Sequence, residues 1–226
     1  MLILLSSMAP RALLRAAVHD YQVSHGARID ARAAGGVDVA QRIESGERVD
    51  VVVLSRDAID RLVLSGHLAE ASRCDLMTSG IAAAVRAGTP APAMADEAAV
   101  RGAILAAASI GYSTGPSGRY LESLLDSWGI LGEMRFRIIV PPPGTPVAQL
   151  VRSGAVALGF QQWSELLDVP GVDVVGPLPA SIQHLTTFSG AVSTASSAPE
   201  AAADFLAYLA SPEREPLKRR FGMTGA

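Results

Sequence analysis

Short β-type runs alternate with amphipathic helical stretches along the whole of this chain. That is the pattern of a mostly parallel sheet with helices on both faces. The run Leu2–Leu5 is followed by a helical segment over about 11–23, with Leu13, Leu14, Ala17 and Val18 on one face. Further strands are expected at Ala27–Ala31, Val49–Leu54, Ser109–Tyr112, Met134–Val140, Ala155–Phe160 and Val172–Val175, and Gly80–Ala87 is another apolar run. Helices are expected at Val37–Glu44, Asp57–Leu64, Glu97–Ala107, Ser117–Trp128 and Val147–Arg152. His184–Val192 reads as extended, and Pro199–Leu209 and Glu213–Phe221 read as closing helices.

Compositional seams lie near Thr78–Ala87 and Leu178–Thr187, while the Pro- and Ala-rich Thr89–Ala95 reads as a surface linker. Two seams describe a chain that leaves its first lobe, builds a second and returns. The expected lobes are 1–79 with 184–226 and 80–183, with hinge crossovers near 78–87 and 178–190. The 226 residues are 49% hydrophobic, enough to give each lobe a core.

Composition excludes several functions. A formal net charge of −3 gives no general attraction to nucleic acid or anionic lipid, so a bound anion must be held by local geometry. Cys74 is the single cysteine and reads as a small buried hydrophobe. His19, His25, His67 and His184 lack metal-ligand spacing, so neither a metal nor another cofactor is expected. No apolar run approaches the roughly 18 residues that span a bilayer. Met1–Leu5 lacks a basic flank and a cleavage site, so it reads as a strand and not an export signal. A cytoplasmic protein is therefore expected from the chain as it stands, or a periplasmic one if a signal peptide precedes it.

Four strand-to-helix junctions carry the chemistry, because helix N-termini there present unpaired N–H groups to an anion. The first is Ser6-Ser7-Met8-Ala9-Pro10, with two hydroxyls. The second is Ala33-Ala34-Gly35-Gly36-Val37-Asp38, where paired glycines allow close backbone approach. The third, Tyr112-Ser113-Thr114-Gly115-Pro116-Ser117-Gly118-Arg119-Tyr120, crowds two glycines, three hydroxyls and an arginine at one helix entry. The fourth is Pro141-Pro142-Pro143-Gly144-Thr145-Pro146, a stiff loop in which Thr145 can cap the next helix. Each alone is also what a plain capped turn looks like, and Arg119 could instead pair with Glu122 or Asp126 along its helix. Four in one chain point to a cleft.

In order, these segments resemble the molybdate- and tungstate-binding solute receptors of ABC transporters. The resemblance includes Ser6-Ser7 after the first strand, Val39–Gly46, Val49–Ser55 with Asp50, Pro116-Ser117-Gly118 with Tyr120, Leu158-Gly159-Phe160 and Leu217–Gly222. It implies a two-lobed α/β fold of the type II periplasmic-binding-protein kind, with the ligand cleft between the lobes. It also implies five contributors, which map to Ser6 or Ser7, Gly36, Ser117, Gly144 or Thr145, and Gln162. Gly36 stands where that family has a serine, and Gln162 where it has a tyrosine. Gly35, Ser113, Gly118, Arg119 and Gln161 complete the expected ligand-binding set. With an arginine fork and amide groups at hand, an organic carboxylate suits these residues better than a tetrahedral oxyanion.

The expected function is binding of a small anion as the solute-binding protein of an ABC transporter, a monomer that meets the transporter's permease and no nucleic acid. Aconitate isomerases are similar to these receptors, so the alternative is a cofactor-free isomerase that moves a proton on a tricarboxylate. His184 and Glu165 are its nearest candidate bases, though His184 reads more readily as a hinge-surface histidine and Glu165 as a solvated helix residue.

Overall fold

A computed structural model describes residues 1–226 and divides them into two compact units, 1–79 with 186–226 and 80–185. The chain passes between them at Ser79–Gly80 and at Leu185–Thr186.

Unit 1 opens with β1 (Leu2–Ser7), α1 (Arg11–His25), β2 (Ile29–Ala34), α2 (Gly36–Glu44), β3 (Val51–Ser55), α3 (Arg56–Leu64) and β4 (Cys74–Ser79). Unit 2 runs through β5 (Ile81–Arg86), α4 (Glu97–Ala106), β6 (Ile110–Tyr112), α5 (Pro116–Ser127) and a short α6 (Leu131–Met134). It continues with β7 (Ile138–Ile139), α7 (Val147–Ser153), β8 (Leu158–Gln162), α8 (Trp163–Leu166) and β9 (Val172–Pro177). The chain returns to unit 1 with β10 (Thr186–Val192), α9 (Pro199–Ala210) and α10 (Glu215–Arg220).

The two sheets share one topology. Unit 1 has strand order β2-β1-β3-β10-β4 and unit 2 has β7-β6-β8-β5-β9. In each, the first three strands are parallel and the fourth runs against both its neighbours. That antiparallel strand is, in both sheets, the one that directly follows a passage between units. No sequence repeat announces this likeness.

Side chains alternate across each sheet with the period of two that a strand imposes. Leu4, Val51 and Val53 join one core with Leu13, Leu14 and Ala17 of α1 and Phe205 and Leu206 of α9. Leu5, Val52 and Leu54 face the opposite core with Val39 and Ile43 of α2 and Ile59 and Leu62 of α3. In β5, Ile81, Ala83 and Val85 meet α4 and α5, while Ala82 and Ala84 meet Ala148 of α7 and Leu166 of α8. Continuous burial on both faces explains why these strands read as unbroken apolar runs.

Asp50, buried just before β3, fastens this sheet. Its carboxylate accepts the Ile3 N–H at 2.8 Å and the Ser196 hydroxyl at 2.6 Å.

The structure corrects four local expectations. Met134–Val140 is not one strand: Met134 ends α6 fully buried, Arg137 N–H closes a turn onto the Met134 carbonyl at 2.7 Å, and Phe136 is 90% exposed. Only Ile138–Ile139 pairs, at the sheet edge, so the apparent alternation is broken by a turn. β4 carries no strong sequence signal, with Asp75 and Thr78 among its apolar residues, and is held by pairing with β10. β2 runs three residues further than expected, so the Gly35-Gly36 turn leaves the sheet directly. β8 runs to Gln162, two residues past the expected Phe160, so Gln161 and Gln162 lie in a buried strand and Gln162 also takes the N-cap position of the short α8 that follows.

Candidate functional site

In a sheet whose first three strands are ordered 2-1-3, the crossovers leave the central strand in opposite directions. The crevice at the carboxyl ends of that strand and its parallel neighbour is the natural place for a ligand. In unit 1 that crevice belongs to β1 and β3, and in unit 2 to β6 and β8.

At the end of β1, two adjacent serines have different fates. Ser6 Oγ donates to the Ser7 carbonyl at 3.1 Å and lies 3.5 Å from the Arg32 carbonyl, so its proton is engaged within the chain. Ser7 Oγ is buried and has no hydrogen-bond partner. It sits against the start of α2, where a Cβ placed on Gly36 would lie 3.7 Å from the Ser7 Cβ. Gly35 occupies the N-cap position of α2 and makes no side-chain cap, so the first N–H groups of a nine-residue helix open beside an idle hydroxyl. Buried polar atoms almost always find partners, and an exception calls for a cause. A bound anion is such a cause.

In unit 2, β6 delivers the loop before α5. Gly115 N–H donates to Ser113 Oγ at 3.3 Å, and Ser117 and Gly118 are buried in the first turn of α5. Gly118 is fixed by packing, since a Cβ there would stand 1.6 Å from the Ser113 carbonyl oxygen. That contact folds the loop back over the helix start. Burial pushes the Tyr112 phenol up to about 12, with Glu122 adding to the rise, so its hydroxyl stays protonated at neutral pH. Arg119 is exposed and makes no ion pair with Glu122 or Asp126; it donates to the Thr114 carbonyl at 3.4 Å and leaves most of its fork open.

The remaining candidates lie at the α7 and β8 ends. Gly144 turns with φ of 82°, and Thr145 N–H closes that turn onto the Pro142 carbonyl at 3.0 Å. The N-cap of α7 is Pro146, so the expected Thr145 cap does not form. Gln161 is committed within the unit: its amide donates to Glu165 at 2.6 Å and its oxygen accepts the Ala148 N–H at 3.4 Å. Gln162 is buried at the end of β8. His184 stacks on Tyr120 with ring centroids 4.7 Å apart, and Tyr120 donates its hydroxyl to the Ile182 carbonyl at 2.9 Å. Trp163, just after β8, has a buried indole N–H with no acceptor. The sequence reading passed over it, because one tryptophan after a strand carries no motif.

No cluster of three or more His, Cys, Asp or Glu side chains is placed to hold a metal ion. No helix is long and apolar enough to cross a membrane.

Comparison with known proteins places these loops in context. A family model described as bacterial extracellular solute-binding protein matches residues 2–224. An aconitate isomerase from Pseudomonas sp. is 37% identical over 217 residues, covering 94% of this chain and 83% of that protein. Among solved structures, the periplasmic molybdate-binding protein of Azotobacter vinelandii superposes with a TM-score of 0.84 at 16% identity over the full length of both chains. PEB3 with L-phospholactate bound does so with a TM-score of 0.79 at 14% identity, again over both full lengths. These solved structures have the same fold: two units, each a mixed five-stranded sheet flanked by helices.

Proposed function

The chain belongs to the bacterial extracellular solute-binding protein family, and on that premise we propose that it binds a small anion, preferably an organic carboxylate, as the solute-binding component of an ABC transporter. Its candidate donors are Ser7 and Gly36 within unit 1, and Ser117, Arg119, Thr145 and Gln162 within unit 2. The observation that carries this reading is the buried, unpartnered Ser7 hydroxyl beside the open N-terminus of α2. A desolvated donor left idle costs about 1–3 kcal/mol, which a bound oxygen acceptor returns. Both kinds of anion have precedent in proteins of this fold, whose solved members include a molybdate-binding protein and one holding L-phospholactate. The open guanidinium of Arg119 and the missing hydroxyl at Gly36 favour the carboxylate.

A second reading follows from the aconitate isomerase relative, which at 37% identity is far nearer in sequence than those solved structures. On this reading the site removes a proton next to one carboxylate of a tricarboxylate and returns it at another carbon. Glu165, fixed by Gln161, would be the base.

Thermal unfolding with molybdate, sulfate, citrate and both aconitate isomers tests the binding function. A ligand at 100 times its dissociation constant stabilises by about 2.7 kcal/mol, and the carboxylates should raise the midpoint most. No shift with any of them would refute it. Absorbance of trans-aconitate incubated with the protein separates the two readings: a steady change means turnover, and a flat trace alongside clear binding leaves the receptor.

A further inference from the structure

We propose that the Trp163 indole N–H is a ligand-binding donor that selects for an ionised carboxylate on a carbon frame; this rests on the anion-binding reading above. The indole Nε1 is buried and has no acceptor in the chain. An indole N–H is donor-only and does not ionise at physiological pH, so it can be satisfied only by a lone pair from outside the chain. The backbone holds it firmly: Trp163 N–H donates to the Gly80 carbonyl at 2.8 Å, and the Trp163 carbonyl accepts the Leu167 N–H at 3.2 Å. The ring packs against Ala82, Ala84, Ala148 and Leu166, small and aliphatic residues that offer it no polar alternative.

Its place in the fold supplies the second reason. Trp163 follows the last residue of β8, at the carboxyl end of the strand beside β6. Ser7 ends β1, beside β3, in the other sheet; there β1 takes the place of β6 and β3 that of β8, so the two residues lie on opposite strands of the equivalent pair. Each unit thus carries an idle buried neutral donor at the topologically equivalent crevice. The chain's other tryptophan, Trp128, shows the ordinary arrangement, donating its indole N–H to Glu97 at 2.7 Å.

The chemistry sets the ligand class. A donor-only group bonds more strongly to the deprotonated form of an acid, whose charged oxygens are the better acceptors. The flat apolar body behind the N–H adds contact for carbon atoms, which a bare tetrahedral oxyanion lacks. A di- or tricarboxylate with a short carbon chain uses both features.

Only two tryptophans are present, so a ¹H–¹⁵N spectrum shows two indole cross-peaks, and Trp163→Phe assigns them. Titration of the full-length protein with trans-aconitate, citrate and molybdate is expected to move the Trp163 peak with a carboxylate and leave the Trp128 peak in place. Trp163→Phe, which keeps an aromatic ring but removes the N–H, should weaken carboxylate binding at least tenfold. A carboxylate that binds the wild type but leaves the Trp163 peak unmoved, with Trp163→Phe within twofold of wild type, overturns the donor role and leaves the anion-binding reading standing. Movement with molybdate alone overturns the carboxylate class. If the wild type binds none of the three, the reading itself fails, and this inference with it.

Discussion

Ser7 and Gly36 stand side by side, the Ser7 Cβ lying 3.7 Å from where a side chain on Gly36 would begin, and the Ser7 hydroxyl there donates to nothing. A hydroxyl kept for a ligand and one kept for the fold respond oppositely to deletion. Ser7→Ala should leave the ligand-free protein as stable as wild type or slightly more so, because an unsatisfied polar atom is removed. It should weaken anion binding by about 1–3 kcal/mol. Urea unfolding and calorimetric titration check the two halves separately. A clear loss of stability in the absence of ligand would assign Ser7 to the fold instead.

Gly118 tests how the third loop is held. By helix propensity alone, replacing a glycine inside α5 with alanine should stabilise by about 1 kcal/mol. The Ser113 carbonyl oxygen, 1.6 Å from the new Cβ, opposes this with a clash that only backbone movement can relieve. Gly118→Ala should therefore destabilise by about 3 kcal/mol or more, the upper range for overpacking. The urea midpoint decides the sign.

Much of this architecture was legible in the sequence. Buried parallel strands such as Val51–Ser55 announce themselves by composition, and the glycine and serine junctions mark helix entries. β4 was not legible, because its stability comes from pairing with β10, more than a hundred residues away in sequence. Nor could Ser6 be told from Ser7, since their difference is that the Ser6 hydroxyl meets a carbonyl and the Ser7 hydroxyl meets none. Gln161 reads as a ligand amide until Glu165 and Ala148 are seen to occupy it. Trp163 needed the tertiary structure altogether: a missing partner leaves no trace in a sequence.

Arg119 separates the two ligand classes. It is exposed, and its one internal hydrogen bond, to the Thr114 carbonyl, is long at 3.4 Å. Arg119→Ala should shift stability by no more than about 0.5 kcal/mol. A carboxylate that pairs with the guanidinium should bind about 2 kcal/mol more weakly to the variant, within the range for charge-assisted bonds. Isothermal titration with citrate and with molybdate measures both, and equal small losses for the two would remove Arg119 from the site.

Asp75 sets an acid limit on unit 1. Burial raises its carboxyl pKa, but the Ser189 hydroxyl at 2.6 Å and the guanidinium groups of Arg56 and Arg73 outweigh that and hold it below the usual carboxylate range. The unfolded chain therefore takes up this proton first as pH falls. The stabilisation is present above the unfolded value of about 3.9 and is lost as pH drops through the lower folded value. Asp75→Asn should lower stability at pH 7 and flatten its dependence on pH below about 4. Urea unfolding across pH 3–7 for both proteins tests this, and parallel curves would contradict it.

Hydrogen–deuterium exchange with and without saturating trans-aconitate, citrate or molybdate reads directly whether the chain holds a small anion at its strand-to-helix junctions. A bound anion is expected to slow exchange around 6–10 and 34–38, at Ser7 and the start of α2, or around 113–119, at the start of α5. Unchanged exchange in all of these segments with every one of the three anions would rule the binding function out.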